Sequence, residues 1–208
     1  MNKYLTELIG TFFLVLTIGL TVTGGSMLGP IAIGSALMVM VYMGRHISGA
    51  HYNPAVSLAI MMRGKIEKVE AVKYMVFQVV GAILAGFATV WLAGEALVVA
   101  PAIGVSSLQA LGVEILFTFA LALVVLQTAT NDATAGNSYY GLAIGFTVFA
   151  GTAAGGPISG GAFNPAVGLG PAIVDAVTGG SSITGVWIYL AGPFIGGALA
   201  ALVYKQQS

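Results

Sequence analysis

Long apolar runs and short polar links alternate along this chain of 208 residues. An apolar helix needs about 20 residues to cross the roughly 30 Å hydrocarbon core of a bilayer. Six runs are close to that length or longer, and two more are about half as long. The pattern therefore predicts an all-α membrane protein with six transmembrane helices and two half-helices. We place the spans at about 4–24, 30–46, 68–93, 106–129, 139–155 and 183–204, and the half-helices at about 53–62 and 164–176.

Nearly the same sequence precedes both half-helices. Residues 48–55 read Ser-Gly-Ala-His-Tyr-Asn-Pro-Ala, and residues 159–166 read Ser-Gly-Gly-Ala-Phe-Asn-Pro-Ala. Asn is a good helix N-cap, and Pro suits the first helical turn. Irregular backbone at membrane depth is tolerated only where it lines a cavity or is buried in protein. Each copy therefore predicts a loop that re-enters the membrane, and together they predict a pore centre. Its residues are Asn53, Pro54, Ala55, Asn164, Pro165 and Ala166.

The two halves of the chain form an internal repeat. Glu7 opens the first span and Glu114 opens the fourth, 107 positions later, while the two motif asparagines are 111 positions apart. Because each unit has three spans, the second unit enters the membrane from the opposite side, which makes an inverted repeat with its site near the midplane. We predict one domain over 1–208, with repeat 1 at about 1–93 and repeat 2 at about 106–208.

Composition excludes several classes of protein. Hydrophobic residues make up 58% of the chain and charged residues 7%, and the mean hydropathy is +0.98; soluble chains carry about 25% charged residues. A formal charge of zero offers no surface for nucleic acid, and the lack of cysteine excludes disulfides and thiolate chemistry. No nucleophile–base set or metal-ligand cluster is visible. We therefore expect no enzyme activity, no cofactor and no metal.

The basic residues indicate the orientation. They gather at the two chain ends and after the first half-helix, whereas the links near 25–29, 94–105 and 177–182 hold none. By the positive-inside rule, we expect both termini of this multi-pass protein to be cytoplasmic. We also expect the protein to lie in the cell membrane. The two half-helices then enter from opposite sides and meet at their N-termini. The basic residues behind this orientation are Lys3, Arg63, Lys65, Lys68, Lys73 and Lys205.

The chain resembles the aquaporin and glycerol-facilitator family, the major intrinsic proteins. The resemblance covers essentially the whole chain and rests on the paired Asn-Pro-Ala motifs, on His-Ile-Ser-Gly-Ala-His at 46–51, on Glu7 and Glu114, and on Gly-Pro-Phe at 192–194. It implies one pore per protomer, a homotetramer in the lipid bilayer, and passive conduction of water and small neutral solutes. Asn53 and Asn164 would each donate to a central water, which interrupts proton hopping. The positive half-dipoles of the half-helices would repel cations.

The chain departs from the family at the constriction that selects solutes. Members commonly carry Arg directly after the second Asn-Pro-Ala motif, and this chain has Val167. The resemblance places the other constriction positions at Ile33, Thr152 and Gly161. Such a ring is wide, mostly apolar and uncharged, and some plant vacuolar members with Val here resemble channels for water and small neutral solutes. The alternative is a facilitator for glycerol, urea, ammonia or a neutral metalloid hydroxide with low water permeability.

Several residues carry competing interpretations. Glu7 and Glu114 lie at membrane depth, where a carboxylate is expensive and functional by default. We interpret them as supports that accept N–H groups from the re-entrant loops, and a proton relay is the alternative. His46, as a further loop support, and His51 are interpreted as loop hydrogen-bonding residues, with pH gating by His46 together with Arg45 as the alternative. A proton-coupled transporter is disfavoured because no charged pair lies near the predicted midplane.

Overall fold

The computed structural model describes residues 1–207, which contain helices and no strands. In chain order the α-helices are α1 (Asn2–Thr23), α2 (Gly29–Ser48), α3 (Pro54–Met62), α4 (Lys68–Ala93), α5 (Ser107–Val125), α6 (Tyr140–Ser159), α7 (Pro165–Val177) and α8 (Val186–Gln207). A π-helical turn, Leu126–Thr130, continues α5, and 3₁₀ turns cover Asp132–Thr134 and Ser182–Gly185.

The six long helices are apolar and long enough to cross a membrane, and α3 and α7 are the two short ones. The prediction of six spans and two half-helices is confirmed. Most predicted ends agree with the observed ends within about three residues. The end of α6 was predicted wrongly at residue 155, because the helix continues through Pro157 to Ser159. Proline removes the N–H that would bond to the carbonyl of Ala153, and Ala153 lines an open cavity.

The helices pack in two matched sets. Helix α1 packs on α2 and α4, as α5 packs on α6 and α8, and the sets join where α2 meets α6. Each short helix packs most extensively on the last long helix of the other half, α3 on α8 and α7 on α4. Glycines allow this close approach: a Cβ at Gly197 would lie 2.6 Å from the carbonyl oxygen of Ala55, and one at Gly86 would lie 2.9 Å from Val174. The two short helices are thereby held inside the bundle.

Candidate functional site

The two re-entrant loops share an unusual backbone. Gly49 and Gly160 have φ of 90° and 92°, and Tyr52 and Phe163 both have φ of 49°. A non-glycine residue in this left-handed region is disfavoured by about 1–2 kcal/mol. Both aromatic side chains are buried, Tyr52 fully and Phe163 with 2% exposed. Such a conformation persists only where the surroundings hold it in place.

Glu7 holds the first loop. Its carboxylate is fully buried and accepts hydrogen bonds from four donors. Oε1 accepts from the Ser48 hydroxyl at 2.6 Å and from the His51 backbone N–H at 3.0 Å. Oε2 accepts from the Tyr52 backbone N–H at 2.7 Å and from Gln78 Nε2 at 2.8 Å. Four donors fill the acceptor capacity of a carboxylate, so the buried group is fully hydrogen-bonded.

Glu114 holds the second loop in the same way with three donors. Its Oε1 accepts from the Ser159 hydroxyl at 2.7 Å and from the Ala162 N–H at 3.1 Å. Its Oε2 accepts from the Phe163 N–H at 2.7 Å. Glu114 is also fully buried. Both glutamates thus face the backbone of their own re-entrant loop.

The motif asparagines cap the half-helices and tie the loops to each other. Asn53 Oδ1 accepts from the Ala55 N–H at 2.8 Å, and Asn164 Oδ1 accepts from the Ala166 N–H at 2.9 Å. Their amide nitrogens donate across the centre: Asn53 Nδ2 lies 2.8 Å from the carbonyl of Phe163, and Asn164 Nδ2 lies 2.9 Å from that of Tyr52. An amide nitrogen has two hydrogens. One from each Asn remains for a molecule in the centre.

A narrow lumen runs past the two asparagines. Its cavity volume is about 20 Å³, which is room for one or two waters. Its lining consists of matched positions from the two halves, 107 apart on α1 and α5 and 111 apart elsewhere. The nine pairs are Leu14/Leu121, Ile18/Val125, Ile33/Ile144, Leu37/Val148, Ala50/Gly161, His51/Ala162, Tyr52/Phe163, Asn53/Asn164 and Val56/Val167. No Lys, Arg, Asp or Glu side chain lines it within residues 1–207.

Two wider cavities adjoin the lumen. The terminal vestibule opens on the face that holds both chain ends, has a volume of about 470 Å³, and shares His51 and Val125 with the lumen. The distal vestibule, of about 390 Å³, shares Ile18, Gly161 and Val167 with it. The narrow lumen therefore lies between two wide mouths.

The four predicted constriction residues lie around the junction of lumen and distal vestibule. Gly161 and Val167 line both cavities, Ile33 lines the lumen, and Thr152 lines the vestibule. The Thr152 hydroxyl is buried, and no hydrogen-bond partner for it is found among the described residues. The ring thus presents mainly apolar groups, because the one hydroxyl among its four residues is buried away from the cavity.

The structure assigns the loop contacts to His51 rather than to His46. His46 lies in the last turn of α2 with an exposed side chain, and no hydrogen bond of its ring is found in the described part of the chain. It stands two positions before Ser48, and positions two apart on a helix do not face each other. His51 is buried, and its Nδ1 lies 3.0 Å from the Ser57 hydroxyl.

Sequence reasoning missed Gln78 and Ser57, which complete the first network. Gln78 Nε2 donates to Ser57 Oγ at 3.0 Å as well as to Glu7, and both side chains are fully buried. The sequence did offer a signal for Gln78, since it is a lone amide within an apolar span. An uncompensated polar group is costly in a membrane, so such a residue is expected to have a buried partner.

A family model described as "Major intrinsic protein" matches residues 1–204. The chain is 40% identical to aquaporin NIP1-3 from Oryza sativa subsp. japonica over 216 residues, covering 98% of this chain and 73% of that protein. It is 35% identical to glycerol uptake facilitator protein-like 6 from Lactiplantibacillus plantarum, covering 97% and 95%. The fold matches the X-ray structure of the aquaglyceroporin from Plasmodium falciparum with a TM-score of 0.85 at 20% identity, covering 99% of this chain and 95% of that one.

Proposed function

Because the chain belongs to the major intrinsic protein family, whose members are channels for water and small neutral solutes, we propose that its conducting path is the lumen between the two vestibules. The observation that carries this proposal is the lumen itself. It is narrow, it passes both motif asparagines, and matched residues of both halves line it. The family consists of channels rather than enzymes, and we propose that this chain catalyses no reaction.

We propose that the pore centre is formed by Asn53 and Asn164 with the Pro-Ala pairs that follow them. Each Asn has one amide hydrogen tied across the centre and one left for the lumen. A water there accepts from both asparagines and donates outward on each side, so a continuous donor chain for protons is interrupted. The N-termini of α3 and α7 each add about half a positive charge at this point. Protons and cations are therefore disfavoured at the centre, whereas neutral molecules are not.

We propose that Ile33, Thr152, Gly161 and Val167 select the solutes. Val167 presents neither the bulk nor the charge of the family's usual Arg, so molecules larger than water can enter. The Thr152 hydroxyl is buried away from the cavity, so the ring presents mainly apolar groups to a passing molecule. The channel then carries water together with small neutral solutes.

The substitution Val167→Arg tests this assignment. It adds bulk, charge and several donors to the ring, so permeation by glycerol and urea should fall at least tenfold more than water permeation. Stopped-flow light scattering of vesicles under each solute gradient measures both rates. Val167→Leu is the matched control, because it adds bulk without charge. A parent protein that already excludes every solute but water would contradict the assignment.

The mostly apolar ring, to which Ile33, Gly161 and Val167 contribute, also favours a second candidate, a solute facilitator with low water permeability. The apolar walls of such a ring disfavour water, whereas its width admits glycerol, urea, ammonia or a neutral metalloid hydroxide. The same swelling experiment separates the two candidates, since the facilitator would show solute flux exceeding water flux per channel.

We further propose a homotetramer in the cell membrane, with both termini cytoplasmic and with repeats at about 1–93 and 106–208. The basic residues on the face of the chain ends support this orientation through the positive-inside rule. Light scattering of the detergent-solubilised protein measures the mass of the assembly. Protease access to a C-terminal tag in intact cells tests the orientation.

A further inference from the structure

The two mouths of the lumen differ in charge. No charged side chain lines the distal vestibule within residues 1–207. Lys3, Arg45, Lys65 and Glu70 all line the terminal vestibule. Of the two mouths, the terminal one is therefore where charged side chains line the cavity next to the lumen.

Most of that charge is compensated locally. Lys3 Nζ lies 2.6 Å from a carboxylate oxygen of Glu70, and Lys65 Nζ lies 3.7 Å from Asp132. Arg45 has no carboxylate partner among the described residues. Its Nη2 donates to the carbonyl of Ala129 at 3.1 Å, and its guanidinium lies 4.3 Å from the centre of the Tyr140 ring. Neither contact cancels its charge, so a full positive charge is held at the entrance.

Arg63 gives a matched comparison on the same face. Its Nη2 donates to the next carbonyl, that of Thr130, at 2.7 Å, and its guanidinium lies 4.8 Å from the centre of the Tyr204 ring. Both arginines thus bind the π-helical end of α5 and an aromatic ring. Arg63, however, lines a separate cavity with Asn131, Asp132, Ala133, Tyr204, Lys205 and Gln207, which shares no residue with the lumen. The two side chains share these two kinds of contact, to which Arg63 adds a donation from Nη2 to the Tyr204 hydroxyl at 2.8 Å. Of the two arginines, only Arg45 lines a cavity that adjoins the lumen.

We infer that Arg45 is a specificity-determining residue, which repels cations at the terminal mouth while neutral solutes pass. The charge that is missing after the second Asn-Pro-Ala motif is thereby supplied at the other end of the lumen. This inference rests on the proposed path through the lumen. It adds a second barrier to the half-dipoles of α3 and α7, and it leaves water permeation unaffected because water carries no net charge.

The test compares Arg45→Gln, Arg45→Lys and Arg63→Gln in proteoliposomes at low salt, near 10 mM, where screening extends over about 30 Å. A unit charge roughly 10 Å from an ion at an effective dielectric constant near 20 changes the ion's occupancy about ten- to twentyfold. We expect Arg45→Gln to raise potassium leak by about that factor. Arg45→Lys and Arg63→Gln should leak like the parent, and water permeability should be unchanged in all three. At about 1 M salt the difference should vanish.

The native chain contains no cysteine, which allows a test of charge within one folded variant. Arg45→Cys should leak potassium like Arg45→Gln. Labelling with a thiosulfonate that carries an ammonium group should restore the low leak, and a sulfonate reagent should not. Unchanged potassium leak in both Arg45→Gln and Arg45→Cys, or an equal rise in Arg63→Gln, would overturn the inference. Water permeability that survives Asn164→Leu would instead overturn the proposed path, so the two failures can be distinguished.

Discussion

The two re-entrant loops have the same backbone but differ in the polar groups that support them. In the first half, Glu7 accepts from four donors, and Gln78, Ser57 and His51 extend the network. In the second half, Glu114 accepts from three donors, and no such extension is found in the part that the structure describes, up to residue 207. The shared elements are a carboxylate, a serine hydroxyl and two backbone N–H groups. We infer that these shared contacts fix the loop and that the additional groups in the first half are not needed for its shape.

The positions that differ show how the second half dispenses with the extra groups. Gln78 corresponds to Tyr189, and Ser57 corresponds to Gly168, each 111 positions later. The Tyr189 side chain packs directly on Gly168, where a Cβ would clash. Its hydroxyl donates to the carbonyl of Ser159, as the Tyr74 hydroxyl does to that of Ser48 in the first half. An aromatic ring thus fills the space that a polar pair fills in the other half.

The largest effect is expected from removing either glutamate. Glu7→Leu leaves four buried donors without an acceptor and Glu114→Leu leaves three, at roughly 1–3 kcal/mol for each donor. These losses, about 4–12 kcal/mol for Glu7→Leu and about 3–9 kcal/mol for Glu114→Leu, are comparable to the roughly 5–15 kcal/mol by which most proteins are stable, so both variants should give far less monodisperse protein than the parent. Size-exclusion chromatography after detergent extraction measures the yield.

Glu7→Gln and Glu114→Gln are the matched controls. The amide keeps one acceptor oxygen, so these variants should insert and conduct with a shallow pH response. If Glu7→Leu alone gave folded protein, the extended polar network of the first half would suffice without its carboxylate. Loss of conductance together with proton coupling in folded Glu114→Gln would favour the proton-relay interpretation.

The next largest effect is expected at the centre, where the halves are alike. Asn53→Leu and Asn164→Leu each remove a helix cap, which costs about 0.5–2 kcal/mol, and one bond across the lumen. Both variants should insert but lose most of their water permeability, and to a similar degree. Stopped-flow swelling of vesicles with equal protein content compares them. Conduction like that of the parent in either variant would place the path elsewhere.

The sequence predicted the fold more completely than the site. Run length and capping signals are local, so six spans and two half-helices followed from them, although the end of α6 was predicted too early. The residues that complete the loop network come from distant parts of the chain: Gln78 reaches Glu7 across 71 positions. Whether such a side chain faces a loop depends on how its helix is rotated about its own axis. A helix that is apolar on all sides has no polar face in its sequence from which this rotation could be predicted. The failure of the prediction for His46, whose side chain is exposed, has the same cause.

The smallest effect is expected at His51, whose partner in the second half is Ala162. Except for this pair, the lumen is lined by chemically similar residues from the two halves. His51→Ala removes the bond to Ser57, which is worth about 1 kcal/mol, and widens the junction with the terminal vestibule. If the ring of Ile33, Thr152, Gly161 and Val167 selects solutes, widening the opposite end should change glycerol and urea permeation less than twofold. Vesicle swelling measures this, with Ser57→Ala as the control that breaks the same bond without widening the lumen. A severalfold rise in glycerol flux in His51→Ala alone would move the selecting constriction to the terminal end, and the two halves would then differ in function as well as in polar support.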